Sequence, residues 1–288
     1  MRARAHEHLG LHSRPSYWNT TMAIDFYYTS GGPFAWRCLL VLEAKALVYT
    51  PHLVDLSKHE NRTPEFLALN ARGTLPVLKE GPIVVRESQA IMFYLDRGHP
   101  ATPLYGETPA EAARVMQEIS EQASYLERPL CAIAGPLLFA QNGGDLTNVA
   151  HAASSLRDEL QARNRRLCQE CWLAGEKLSA ADLNLYPFLA SFERALLQPA
   201  AAQLDLERTP ITDRFPGIGR WMRAVRALPG YERTKPMELT QIYGPAARCK
   251  RLWSTLVDTV LRQCIRSPIG ACAPGHHGYQ RACDLISG

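Results

Sequence analysis

Thr74-Leu75-Pro76-Val77-Leu78, a turn at Gly81-Pro82, then Ile83-Val84-Val85 and Arg86-Glu87-Ser88-Gln89-Ala90-Ile91 form the stretch on which the fold turns. Two short apolar runs joined by a tight turn predict a β-hairpin. Ile91, Met92 and Leu95 then recur at helical spacing, and Ser88 is placed to cap that helix. A proline inside a β-rich run is unusual, because it donates no ladder hydrogen bond. Pro76 is therefore either a trans residue at a sheet edge or part of a cis Leu75–Pro76 bond. The cis form turns the Leu75 main chain outward, where an extended peptide can pair with it as an added strand. The pattern leaves both open. Glu87-Ser88 falls where strand gives way to helix. A hydroxyl beside first-turn N–H groups suits an anion, and a neighbouring glutamate suits an ammonium. A ligand ending in an α-amino acid carries both charges. A plain cap with a carboxylate favoured by the helix dipole explains the pair equally.

Upstream, Ile24-Asp25-Phe26-Tyr27-Tyr28 alternates as a strand, with Ile24, Phe26 and Tyr28 on one face. Gly31-Gly32-Pro33 interrupts it, and Pro33 suits the first turn of a helix through Trp36, Leu39, Leu40 and Leu42. Val48 to Leu56 reads as a second strand, and Pro64 opens a short helix through Phe66 and Leu69. The order β-α-β-α-β-β-α predicts an α/β layer over residues 22–100. Pro100 to Pro109 is a breaker-rich connection and a natural boundary. Residues 108–240 carry helical periods without strand alternation, as at Leu156, Leu160 and Leu167, and at Ile218, Trp221, Met222 and Val225. An all-α helical bundle is expected there.

Residues 1–21 read as an extension ahead of Met22, with Arg2, Arg4 and Arg14 and no apolar core. No secretory signal is expected, while an organelle-targeting segment stays open. Residues 245–288 read as a second extension: a helix at about 246–266 on an apolar stripe, then a flexible tail. The basic residues of that helix leave two readings, packing on the body or a membrane surface or partner.

The 288 residues, 46% hydrophobic and 21% charged, suit about two domains with a substantial core. A net charge of +4 from 32 basic and 28 acidic residues is too even to call for a nucleic-acid partner. No apolar run approaches the ~20 residues of a membrane span. Eight cysteines, with Cys38 and Cys131 in apolar segments, do not resemble a secreted disulfide scaffold, so a reducing, cytoplasmic location is expected. Cys168-Gln169-Glu170-Cys171 has redox-like spacing but no strand-to-helix turn before it, and reads as structural. Cys264, Cys272, His276, His277 and Cys283 match no zinc spacing, so no metal is expected.

Arg72-Gly73-Thr74-Leu75-Pro76-Val77-Leu78 followed by Arg86-Glu87-Ser88-Gln89-Ala90-Ile91 and Tyr94-Leu95 resembles the glutathione-site signature of glutathione transferases. Pro64-Glu65-Phe66-Leu67-Ala68-Leu69-Asn70 resembles that family's second helix. Trp172-Leu173-Ala174-Gly175, with Leu178-Ser179-Ala180-Ala181-Asp182, resembles its N-capping module, and Ser179 and Asp182 have capping-box spacing. The resemblance spans about residues 22–238. It implies an α/β thioredoxin-like N-terminal domain followed by an all-α helical-bundle C-terminal domain. It also implies a homodimeric enzyme of detoxification, in which glutathione thiolate attacks an electrophilic, apolar co-substrate without a prosthetic group. Other glutathione-dependent reactions (peroxide reduction, isomerisation, dehalogenation) and a non-catalytic binding role are the alternatives.

Carried onto this chain, the resemblance implies a cis Pro76, Leu75 pairing its main chain with the cysteinyl unit, and Glu87 and Ser88 holding the γ-glutamyl end. Asn61 and Arg62 stand where plant-type members hold the glycyl carboxylate, with Lys58 or His59 as substitutes. Tyr125 is expected near the co-substrate. The match weakens at the activating residue: where Ser-type members carry serine ahead of Pro33-Phe34, this chain has Gly32. A free thiol titrates near about 8.5, and lowering that by two units needs roughly 2.7 kcal/mol. Ser30, on the strand-to-helix loop, is the expected donor, with the first-helix N–H groups assisting; a plain turn serine is the other reading, and Tyr28 is second choice.

Overall fold

Alternation in Ile24–Tyr28 (β1) sends Phe26 to one side of the sheet, fully buried, and Tyr27 to the other, edge-on to Phe66. The computed structural model describes residues 22–139, 149–198, 201–202 and 211–237. Both extensions, including the helix expected at about 246–266, lie outside the described residues.

β1 runs into α1 (Pro33–Ala44), β2 (Tyr49–Leu53), two short 3-10 turns, α2 (Pro64–Leu69), the hairpin β3 (Val77–Glu80) and β4 (Ile83–Arg86), and α3 (Ser88–Gly98). The sheet order is β2-β1-β3-β4, with β1 parallel to β2 and antiparallel to β3. In the hairpin Val77 faces Arg86 and Glu80 faces Ile83, and the turn uses Gly81 at φ +55°, where a side chain is disfavoured. β2 is shorter than the Val48–Leu56 reading. Val48 is 92% exposed, while Val54, whose N–H still bonds the Tyr28 carbonyl at 2.8 Å, and Leu56 lie past the strand's end and enter a second core cluster with Phe66, Leu75 and Val77. Their hydrophobicity reflects that cluster rather than strand pairing.

The helical half comprises α4 (Pro109–Glu121), α5 (Glu127–Phe139), α6 (Val149–Gln169), α7 (Ala180–Leu196), α8 (Ile211–Arg214), α9 (Pro216–Arg226) and α10 (Tyr231–Thr234). Between α4 and α5, Gln122–Leu126 forms a π-helical turn. Such turns concentrate at functional sites. Leu156, Leu160 and Leu167 bury the inner stripe of α6. Ser179 and Asp182 close a capping box at the start of α7.

α1 joins the halves. It is buried from Ala35 to Glu43, between the sheet and the helical half. Trp36 and Phe34 meet Tyr186 and Phe188 of α7 edge-on at 5.6 and 5.2 Å. One apolar cluster therefore runs from Phe26 and Ile91 to Ile133 and Trp221, across both halves. The segment after α9 folds back to reinforce this join: Trp36 Nε1 donates to Thr234 Oγ1 at 3.0 Å, and Arg233 pairs with Glu43.

Candidate active site

The Leu75–Pro76 peptide bond is cis, and both residues line a cleft of about 390 Å³ between the halves. Gly73, at φ +63°, sets up the approach to this corner. A Cβ there would lie 2.8 Å from the Asn61 carbonyl, so glycine is required for space as well as for its backbone angle. Glu87 and Ser88 form the second wall. Glu87 is held at φ +66°, a costly conformation for a residue with a side chain, and one that clusters at ligand sites.

Ser88 is not the cap expected from sequence. It is the first residue of α3, Glu87 takes the cap position, and no side chain caps the helix. The Ser88 hydroxyl instead accepts a hydrogen bond from Arg37 Nε at 2.9 Å. Arg37 is almost fully buried, and its Nη1 donates to Glu127 Oε1 at 2.7 Å and Asn184 Oδ1 at 2.6 Å. Its guanidinium also lies 5.0 and 5.4 Å from the ring centres of Phe34 and Phe188. A buried cation persists only when paired and hydrogen-bonded, and here each hydrogen-bonded partner, Ser88, Glu127 and Asn184, comes from another helix. Glu127 Oε1 also accepts from Asn184 Nδ2 at 3.0 Å, and Gln122 Oε1 accepts from the same amide at 2.8 Å.

Leu75, Pro76, Glu87 and Ser88 thus share one cleft, with Phe34 and Arg37 of α1 and with Ala123 and Glu127 from the helical half. The other expected site residues lie elsewhere. Ser30 is buried in a separate cavity of about 290 Å³, with Tyr28, Trp36, Tyr49 and Arg233, and its Oγ accepts from the Met237 N–H at 2.8 Å. Tyr28 lines that same cavity, and burial raises its phenol pKa, disfavouring the anion. Asn61 is 1% exposed, because its amide turns inward to donate to the Gly73 carbonyl at 2.8 Å. Arg62 is exposed and donates to the Arg72 carbonyl at 3.2 Å. Tyr125 is 57% exposed and is not among the residues lining the cleft, where Ala123 and Glu127 stand from the same helical stretch.

Among the described residues, the hydroxyls lining the cleft are those of Thr74 and Ser88. Position 32, the N-cap of α1, offers no side chain. The N–H groups of Phe34 and Ala35 have no carbonyl to pair with inside the helix, and Pro33 contributes none. Cys38 packs inside α1, and burial pushes its thiol up to about 12, so it is no nucleophile. No three potential metal ligands come together among the described residues. Sequence reasoning missed Arg37 and Glu127; the available signal was a lone cation between Trp36 and Cys38 in an otherwise apolar helix.

Comparison with known proteins agrees with this architecture. The family model for the glutathione S-transferase N-terminal domain matches residues 31–97, and that for the C-terminal domain matches residues 126–229. The chain is 29% identical over 214 residues to glutathione S-transferase 4 of Zea mays, covering 73% of this chain and 90% of that one. It is 32% identical over 157 residues to glutathione S-transferase F10 of Arabidopsis thaliana, covering 53% and 73%. The crystal structure of glutathione transferase F2 from Populus trichocarpa has the same fold, with a TM-score of 0.65 at 21% identity over 73% of this chain and 96% of that one.

Proposed function

Because the chain belongs to the glutathione transferase family, we propose that its interdomain cleft holds glutathione with the cysteinyl unit against Leu75 and Pro76 and the γ-glutamyl end at Glu87 and Ser88. As a glutathione transferase, the enzyme joins the sulfur of glutathione to an electrophilic co-substrate. One observation carries the placement: the cis Leu75–Pro76 corner and the Glu87–Ser88 corner open onto the same cleft. Glu87 supplies a carboxylate for the ammonium of the tripeptide. The Ser88 hydroxyl and the first turn of α3 face its α-carboxylate.

The sulfur then lies over the start of α1. With Ser30 in the other cavity, thiolate stabilisation falls to the Phe34 and Ala35 N–H groups and the positive end of the helix. Ser30 acts on the loop rather than at the sulfur, by fixing it to Met237. The electrophile is apolar and enters beside Phe34 and Ala123. Glutathione is a co-substrate, and the chemistry calls for no prosthetic group. Phe93 of α3 and Met116 of α4 are exposed apolar residues that suit a homodimer contact. No helix among the described residues is long and apolar enough to cross a membrane. A cytoplasmic detoxifying enzyme is the setting that fits.

Titration calorimetry with glutathione, followed by conjugation of a chlorinated nitrobenzene, tests this reading. Heat of binding at millimolar glutathione or below is expected, together with turnover. Folded protein that takes up no glutathione at that concentration rules the placement out.

A further inference from the structure

The structure assigns Arg37 a positioning role: its Nε–H fixes Ser88 as a hydrogen-bond donor toward the α-carboxylate of the γ-glutamyl group. A serine hydroxyl has one proton and two lone pairs, and alone it rotates freely between donating and accepting. Here Arg37 Nε–H occupies the acceptor side at 2.9 Å, so the hydroxyl proton must point elsewhere. Ser88 lines the cleft, and the cleft is where that proton finds an acceptor. A carboxylate accepts such a proton, whereas an ammonium could only donate to the one lone pair that Arg37 leaves. The Ser88 backbone is pinned too, because its carbonyl accepts from Cys38 Sγ at 3.4 Å. Two consecutive α1 residues thus hold one cleft residue from behind.

Arg37 is itself immobilised. Glu127 and Asn184 hold Nη1, and the Phe34 and Phe188 rings flank the guanidinium. Glu127 offsets its charge, so Arg37 acts chiefly through geometry and only secondarily through its field. Arginine suits the task because its planar fork bonds Ser88 through Nε while Nη1 stays anchored across the seam. A lysine offers one nitrogen for both jobs. Recognition of the γ-glutamyl carboxylate therefore depends on two residues of the helical half that bond Arg37.

This inference rests on the placement of the γ-glutamyl end at Glu87 and Ser88. Its test compares glutathione with 4-aminobutyryl-cysteinyl-glycine, the same tripeptide without that α-carboxylate, by calorimetry on the full chain. The wild type is expected to prefer glutathione by about tenfold or more, the scale of a hydrogen bond to a charged group. R37Q, its fold checked by thermal melting, is expected to weaken glutathione about tenfold and the analogue less than about threefold. S88A should do the same, and R37Q should add less than about threefold in the S88A background, because one residue acts through the other. Equal weakening of both ligands by R37Q, or full multiplication of the two effects, overturns the assignment. Should R37Q fail to fold, arginine Nε-labelled NMR of the wild type decides. The exchange-protected Nε–H signal that moves in S88A must shift with glutathione and stay in place with the analogue; equal shifts overturn the role. Wild-type protein that binds neither tripeptide removes the underlying placement and this inference with it.

Discussion

Replacing Asp182 by alanine tests the joint that supports the helical half, and the expected sign depends on pH. Asp182 is fully buried at the start of α7. Its carboxyl accepts from the Leu173 N–H at 2.8 Å, the Ser179 N–H at 2.9 Å, the Ser179 hydroxyl at 2.8 Å and Trp221 Nε1 at 2.8 Å. D182A strands three buried N–H donors at about 1–3 kcal/mol each, so a loss of about 3–9 kcal/mol is expected. Burial pushes the carboxyl up to about 6, against hydrogen bonds from Leu173, Ser179 and Trp221 that pull it down. The unfolded group titrates near 3.8, so between these values the folded state binds the extra proton. Stability from this group is complete below about 3.8 and lost as pH rises through about 6. The gap between wild type and D182A should then be larger at pH 5 than at pH 7.5 by about 1 kcal/mol, from linkage between the two pKa values. Urea unfolding of both proteins at the two pH values measures it. A gap that widens as pH rises would mean that the hydrogen bonds outweigh burial, and the reasoning fails.

Three substitutions near the cleft follow from the same geometry. G32S restores a hydroxyl at the α1 N-cap, where a Cβ meets only Thr29 at 3.7 Å and the backbone angles are ordinary; the bound thiol pKa should fall by about one unit, with conjugation at pH 6.5 rising up to about tenfold. An unmoved pKa would show that a hydroxyl there does not reach the sulfur. S30A removes the acceptor for the Met237 N–H and should lower the melting temperature while leaving the bound thiol pKa in place; a rise of a unit or more returns Ser30 to the mechanism. G73A drives a methyl against the Asn61 carbonyl at a positive φ, and should destabilise the protein by more than about 1 kcal/mol and weaken glutathione binding in calorimetry. Wild-type affinity for glutathione in G73A contradicts the claim that this glycine shapes the approach to Pro76.

What the sequence disclosed was what neighbours along the chain decide. Ile24, Phe26 and Tyr28 alternate because β1 has two faces, and Ser179 and Asp182 are three residues apart because a capping box needs that spacing. Distant partners were hidden. Arg37 finds Ser88, Glu127 and Asn184 at separations of 51, 90 and 147 residues, so no local window marks it as more than a stray charge in an apolar helix. Ser30 was placed by its loop, yet its direction is set by Met237, 207 residues later. Asn61 has the polarity of a ligand residue, and the fold uses that polarity on the Gly73 carbonyl. The strand read through Leu56 failed for a related reason, since hydrophobicity reports burial and the burial there comes from the second cluster.

The proposed glutathione site is consequently a property of the seam as well as of the α/β half. That half supplies the residues expected to touch the tripeptide, Leu75, Pro76, Glu87 and Ser88. The hydroxyl of Ser88 is nevertheless oriented by Arg37, and Arg37 is held by Glu127 and Asn184 of the helical half. The α1 surface carrying Arg37 also buries Trp36 and Phe34 against Tyr186 and Phe188. Removing the helical half would expose those aromatics and leave the guanidinium without its carboxylate. The proposed substrate recognition and the shared core thus draw on the same helix, so changes at Glu127 or Asn184, near the starts of α5 and α7, are expected to reach binding through Arg37.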